Sequence, residues 1–164
     1  MATRRNFMAA GLGLAAVSLL NRAAAQVQPL VVYDEELKNG WQNWSWAKVE
    51  FSAPAGGTKP IKVQGEPWSA LALHHDAFPA TGYTKLTFVI NGGPQGGQEL
   101  AVKAMVDGKP AEASYFIQPK AKTWTRVEVP LKELVAAGKT IDGIALQGQA
   151  NAYNAYYVTR IQFE

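Results

Sequence analysis

The sequence predicts an all-β protein, an antiparallel β-sandwich preceded by a cleavable export signal. About ten short runs alternate apolar and polar residues and are separated by Gly, Pro, Asn and Asp. After residue 25, no segment of ten or more residues repeats with the period of a helix. The first 25 residues instead have the composition of a signal peptide.

The N-terminal segment has the three parts of an export signal. Arg4 and Arg5 form a twin-arginine pair, and the 13-residue apolar run 8–20 follows them. That run is shorter than the roughly 18 residues that span a bilayer. The small residues 23–25 then offer a cleavage site. We therefore expect residues 1–25 to be a twin-arginine signal peptide and residues 26–164 to be one periplasmic or secreted β-sandwich domain without a membrane span.

Charge and cysteine content exclude several classes of function. The chain has 16 Lys and Arg residues and 13 acidic ones, and the signal takes Arg4, Arg5 and Arg22 but no acid. The remainder therefore carries thirteen charges of each sign, which gives no electrostatic reason to expect a nucleic-acid partner. The absence of cysteine excludes thiolate metal sites and cysteine nucleophiles.

Alternation and turn residues place the individual elements. Asn39-Gly40 and Asp107-Gly108 are typical of tight hairpin turns. The helix candidate is the short stretch 131–137, closed by Gly138. The predicted strands are 30–34, 44–52, 61–63, 71–73, 86–90, 100–106, 115–117, 126–129, 144–146 and 156–163.

Several large aromatic side chains stand two or four residues from polar ones in the same predicted strand. Because side chains i and i+2 lie on one face of a strand, these rings are expected to project away from the core. Flat rings among amides and charges suit sugars, since sugars offer apolar C–H faces and many hydroxyl groups. The alternative is that a β-bulge or a second layer buries the rings, because one bulge reverses the parity beyond it. The predicted ligand-binding residues are Trp44, Trp46, Trp124, Arg126, Gln147, Gln149 and Tyr156, with Trp41 and Trp68 at the rim.

Four segments carry a resemblance to a known family. They are the tryptophan-rich 41–46 after Tyr33-Asp34, the stretch 82–88, the late strand with its Pro-Leu turn at 124–134, and 157–161. Together they resemble the jelly-roll carbohydrate-binding modules of bacterial secreted glycoside hydrolases, within the galactose-binding-like group. The resemblance implies a jelly roll that binds a polysaccharide or oligosaccharide without catalysis.

Calcium is the cofactor question that the resemblance raises. Such modules often hold a structural calcium with an aspartate in the last strand, where this chain has Thr159. Asp34 and Glu35 remain near the first strand as oxygen donors. We therefore expect no cofactor, and calcium is left without support from the residues.

Two rival functions stay open at this point. A small glycan hydrolase or lyase would use Glu50 and Glu128 as a carboxylate pair, or the cluster His74-His75-Asp76. Neighbouring histidines on a strand point to opposite faces, which argues against one shared metal ion. An envelope protein-interaction domain would instead offer its exposed rings to another protein.

The export signal gives the first testable prediction. Replacing Arg4 and Arg5 by lysine should leave the protein uncleaved in the cytoplasm, because the twin-arginine pair is the feature that its transporter reads. Cell fractionation and the mass of the retained chain measure the outcome. Normal export of the double-lysine variant would contradict the assignment.

Overall fold

The computed structural model describes residues 27–164, and these form strands and connecting turns. The signal segment 1–25 lies outside the described residues. In the part described, no helix is both long and apolar enough to cross a bilayer. In chain order, the strands are β1 (Leu30–Asp34), β2 (Glu36–Leu37), β3 (Gln42–Asn43), β4 (Lys48–Glu50), β5 (Ile61–Gly65), β6 (Ala70–Pro79), β7 (Lys85–Asn91), β8 (Leu100–Val106), β9 (Lys109–Pro110), β10 (Tyr115–Ile117), β11 (Trp124–Pro130), β12 (Thr140–Gly148) and β13 (Tyr153–Phe163).

The strands form two antiparallel sheets that pack into a sandwich. Sheet A has the order β11-β7-β13-β1-β2, with β5 also paired to β13 and β4 to β5. Sheet B has the order β10-β8-β12-β6-β3, with β9 paired to β8. The fold class predicted from the alternating runs is confirmed.

The core lies between the inner faces of the two sheets. Val32, Phe88 and Ile90 contribute from sheet A, and Leu71 and Leu146 from sheet B. All five are buried, and their strand neighbours point outward, except that Tyr33 next to Val32 also enters the core at the register shift of β1. The burial of these apolar side chains is the main term that stabilises a cysteine-free sandwich.

Both predicted turns are present, although the first carries the chain from β2 of sheet A to β3 of sheet B. Asn39 and Gly40 have φ angles of 49° and 81°, and Asp107 and Gly108 have 52° and 70°. Two successive left-handed residues make a type I′ turn, whose twist matches that of paired strands. The second of these turns joins β8 directly to β9.

Two local predictions are wrong. Residues 131–137 form a series of tight turns rather than a helix, because Val135 adopts a φ of 53° that a right-handed helix excludes. The run 44–52 is not one strand either. Its beginning hydrogen-bonds to β6 of sheet B, whereas β4 pairs with β5 of sheet A, so the chain crosses between the layers after Ala47.

A bulge in β13 overturns the predicted position of Tyr156. The register of β13 against β7 shifts between Thr159 and Gln162, and Arg160 has a φ of 50°. The extra residue reverses the parity, so that Tyr156 and Val158 face the core together with Ile161. Tyr156 is 0% exposed and cannot contact a ligand.

The outer face of sheet A carries a network of charges around Glu164. Arg126 Nη2 donates to Glu164 Oε1 at 2.9 Å, and Lys85 Nζ lies 3.4 Å from Glu164 Oε2. Hydrogen bonds from Gln162, Arg126 and Thr87 lower the pKa of the Glu164 side chain from 4.5 to about 2. The same Arg126 and Lys85 also pair with Glu128 and lower its pKa.

This network predicts an acid-dependent term in stability. A carboxyl group whose pKa is depressed in the folded state stabilises the fold above its ordinary pKa, and that stabilisation is lost as pH falls toward the folded value. The difference in Tm between wild type and Glu164→Gln should therefore be largest above pH 4.5 and shrink toward pH 2. Thermal melts across this range measure it. A difference independent of pH would contradict the network.

Candidate functional site

The outer face of sheet B carries a row of exposed indole rings. Trp44 and Trp46 follow β3 along the edge of β6, and Trp68 lies just before β6 begins. Their exposed fractions are 47%, 48% and 54%. We call this surface, with its three tryptophans and Gln147, the tryptophan face. Two of its tryptophans and its glutamine are residues that the sequence predicted.

Backbone hydrogen bonds fix the first two tryptophans against the sheet. The amide of Trp44 donates to the carbonyl of Ala72 at 2.9 Å, and that of Trp46 donates to the carbonyl of Ala70 at 3.1 Å. Ser45 lies between them and anchors the segment, because its hydroxyl accepts from the amide of Ala72 at 3.0 Å. The two rings therefore project from the same side, as alternation predicts.

The floor beneath the rings is made of alanines and a glycine, together with Met105 of β8. Ala70 and Ala72 of β6 pair with Gln147 and Ala145 of β12, and Gly143 pairs with His74. Leu71 and Leu73 belong to the core, so the alanines between them face outward. They are nevertheless fully buried, because the larger side chains of this face cover them.

Trp68 is held at the face by an unusual backbone conformation. Its φ is 63°, which is uncommon for a bulky residue and turns its carbonyl toward the face. That oxygen accepts hydrogen bonds from Trp46 Nε1 at 2.9 Å and from Gln147 Nε2 at 3.0 Å. Trp68, placed only at the rim by the sequence, is thus bonded directly to two predicted residues.

The two predicted glutamines differ in what they present. Gln147 reaches toward Trp68 on the tryptophan face. The amide nitrogen of Gln149 folds back onto the carbonyls of Gln147 and Gly148, at 3.2 Å each. Gln149 is half-buried and lines the end of the face rather than its centre.

One aromatic residue of this surface is missing from the sequence prediction. Phe116 of β10 is 65% exposed and pairs with Ala101 of β8. It shares with Trp68 a cleft of about 630 Å³ at the end of the tryptophan face. The signal was available, since Tyr115 and Ile117 both pack on the core and Phe116 between them must point outward.

Trp124 and Arg126 do not belong to this face, which corrects the prediction of a single aromatic and polar surface. Both lie on β11, at the edge of sheet A, and Val129 of the same strand faces the core. Two layers about 10 Å apart separate their outward side chains from the tryptophan face. Arg126 is tied to Glu128 and Glu164. The alternation of side chains predicted correctly that Trp124 and Arg126 are exposed, but it could not predict to which sheet their strand belongs.

Two aromatic candidates are core residues. Trp41 is 4% exposed and stacks on Phe163, with ring centroids 6.1 Å apart. Tyr156 is buried beside Tyr153, and its burial raises the pKa of the Tyr156 phenol well above 10. Neither ring can contact a ligand at the surface.

The carboxylates proposed for catalysis are too far apart to act together. Glu50 lies on β4 and Glu128 on β11, at opposite edges of sheet A, with β5, β13 and β7 between them. Four strand spacings separate their backbones by about 19 Å. Glycosidases need their two carboxyl groups within about 5 to 9.5 Å.

The histidine cluster is divided between the two faces of β6, as expected. His74 stacks with Trp44, whereas His75 packs against Trp41 and Phe78. Within residues 27–164, no three His, Asp or Glu side chains are grouped so as to hold a metal ion. The carbonyl of Glu35 near β1 already accepts hydrogen bonds from Tyr33 and Ser52. The expectation of no cofactor stays untested.

Comparison with known proteins identifies the fold. Family 29 carbohydrate-binding modules superpose on the chain. An arginine-to-alanine variant gives a TM-score of 0.64 at 13% identity, covering 84% of this chain and 92% of that one. A lysine-to-alanine variant in complex with cellulohexaose gives 0.63 at 14%, covering 83% and 89%. An aspartate-to-alanine variant in complex with mannohexaose gives 0.63 at 13%, covering 83% and 90%.

Sequence comparison gives a weaker relation. An endoglucanase of Dictyostelium discoideum is 23% identical over 146 residues, covering 82% of this chain. The chain spans only about a fifth (21%) of the length of that relative. No family model matches the chain. The superposed structures show that the chain has the β-sandwich fold of carbohydrate-binding modules.

Proposed function

We propose that the protein binds a polysaccharide or oligosaccharide through the tryptophan face and performs no catalysis on it. The observation that carries the proposal is the row of Trp44, Trp46 and Trp68, about half exposed, along one edge of an outer sheet face. Exposed rings of this size are unusual on a monomeric surface and mark binding sites. Each indole offers a flat apolar surface on which a sugar ring can stack.

The polar groups of the face suit a neutral ligand. The side-chain amide of Gln147 donates one N–H to the carbonyl of Trp68, and its second N–H and its oxygen can meet sugar hydroxyl groups. Lys103 of β8 directs its ammonium group to the carbonyls of Ala111 and Glu112, at 3.0 and 3.2 Å. The face thus consists chiefly of rings and amides, which favours an uncharged glycan. The solved modules of the same fold were crystallised with cellulohexaose and mannohexaose, so these are suitable first ligands.

Lack of catalysis is supported by the separation of Glu50 from Glu128 and by the division of His74 from His75 between two faces. The predicted twin-arginine signal supports a periplasmic or secreted location. A binding module exported in this way would meet glycans outside the cytoplasm.

The tryptophan face predicts which rings matter for binding. Trp44→Ala and Trp46→Ala should each weaken binding of a hexasaccharide by roughly thirtyfold, since a central stacking contact is worth about 2 kcal/mol. Isothermal titration of residues 26–164 with cellulohexaose and mannohexaose measures the affinities. Tm should change little, because both rings are about half exposed.

Trp124→Ala is the matched control. It removes an exposed indole, 39% accessible, from the opposite sheet and should leave the affinity unchanged. The same incubations should release no reducing ends. If Trp124→Ala weakens binding and Trp44→Ala does not, the wrong face has been chosen. If no polysaccharide binds but a partner protein does, the protein-interaction alternative is correct.

A further inference from the structure

His74 lies flat beneath the ring of Trp44. The centroids of the imidazole and indole rings are 3.5 Å apart, and their planes differ by 6°. The His74 side chain is only 15% exposed, whereas Trp44 is 47% exposed. The imidazole therefore covers the inner surface of the indole and leaves the outer surface open.

The carboxylate of Asp142 lies next to the imidazole, on the neighbouring strand β12. A register shift in β12 between Ile141 and Gly143 brings Asp142 Oδ2 within 3.8 Å of His74 Nε2. The same oxygen accepts a 2.6 Å hydrogen bond from the backbone amide of Gly108, in the turn between β8 and β9. The Asp142 carboxylate therefore lies between the imidazole of His74 and the turn that contains Gly108.

The same turn also lies against the edge of the Trp44 indole ring. A Cβ atom at position 108 would come within 3.1 Å of Trp44 Cζ3, so the turn borders the ring closely. Gly108 has a φ of 70°, which glycine adopts without strain. Trp44 is therefore bounded below by His74 and at its rim by Gly108.

Two buried polar atoms of this arrangement have no hydrogen-bond partner in the described residues. His74 Nδ1 and Asp142 Oδ1 are buried and make no hydrogen bond within residues 27–164. Buried polar atoms without partners are unfavourable, and those that persist call for an explanation. The other buried side chains of this face, Ala70, Ala72, Met105 and Ala145, are apolar.

We propose that His74 is a positioning residue that sets the height and tilt of the Trp44 ring as a stacking surface for a glycan. The proposal rests on the function proposed above. The imidazole fills the space between the indole and the sheet, and the Asp142 carboxylate borders it at 3.8 Å. Without the imidazole, the indole keeps the hydrogen bond from Trp44 Nε1 to Gln42 Oε1 at 3.2 Å, but it loses the flat surface beneath its centre.

A double-mutant cycle tests the proposal. His74→Ala should lower affinity for a hexasaccharide by roughly fivefold, the size of a coupling of about 1 kcal/mol between contacting residues. In a Trp44→Ala background, the same change should cost nothing further, because His74 acts through Trp44. His74→Phe should restore much of the affinity, since it returns a flat ring without the Asp142 contact.

Two further measurements separate the outcomes. The ring-proton shifts of Trp44 by NMR should move in His74→Ala and recover in His74→Phe, with or without ligand. The Tm of each variant shows whether the fold is retained, and His74→Ser replaces His74→Ala as the variant without a ring if the latter does not fold. Unchanged affinity in His74→Ala, or an equal loss in the Trp44→Ala background, overturns the positioning role. If wild type binds no glycan, the proposed function fails, while unmoved Trp44 shifts independently refute the support of the ring.

Discussion

The alternation of side chains along β6 and β12 is the constraint on which the tryptophan face depends. Leu71 and Leu73 must enter the core, so Ala70, Ala72 and His74 are directed outward. Ile144 and Leu146 direct Ala145 and Gln147 to the same face. The packing that stabilises the sandwich therefore also determines the outer face of sheet B, residue by residue.

The small size of the outward residues makes the face usable for binding. Alanine and glycine let the segment 44–47 lie close to β6, where the carbonyls of Ala70 and Ala72 accept its amides. The backbone that carries the rings is then fixed to the sheet by hydrogen bonds, which reduces the entropy lost when a ligand binds. His74 and Met105 are the two large side chains in this floor, and the position of His74 under Trp44 gives His74 a role.

The sequence predicted the strands well where the alternation is unbroken. β8 and β10 have the predicted bounds, because a turn or loop closes each and no bulge interrupts it. The position of Tyr156 could not be predicted, since a bulge at Arg160 depends on the pairing of β13 with β7 and β1. Parity likewise predicted that Trp124 and Trp44 are exposed. It could not show that they lie on different sheets, because sheet membership is decided by pairing between residues distant in the chain.

The five tryptophans allow the central claim to be measured in one spectrum. Trp44, Trp46 and Trp68 lie on the tryptophan face, Trp41 lies in the core and Trp124 lies on the opposite sheet. A ¹⁵N-labelled protein titrated with cellulohexaose or mannohexaose should shift the indole N–H signals of the first three and leave those of Trp41 and Trp124 in place. Movement of the Trp124 signal alone, with the other three unchanged, would contradict the account.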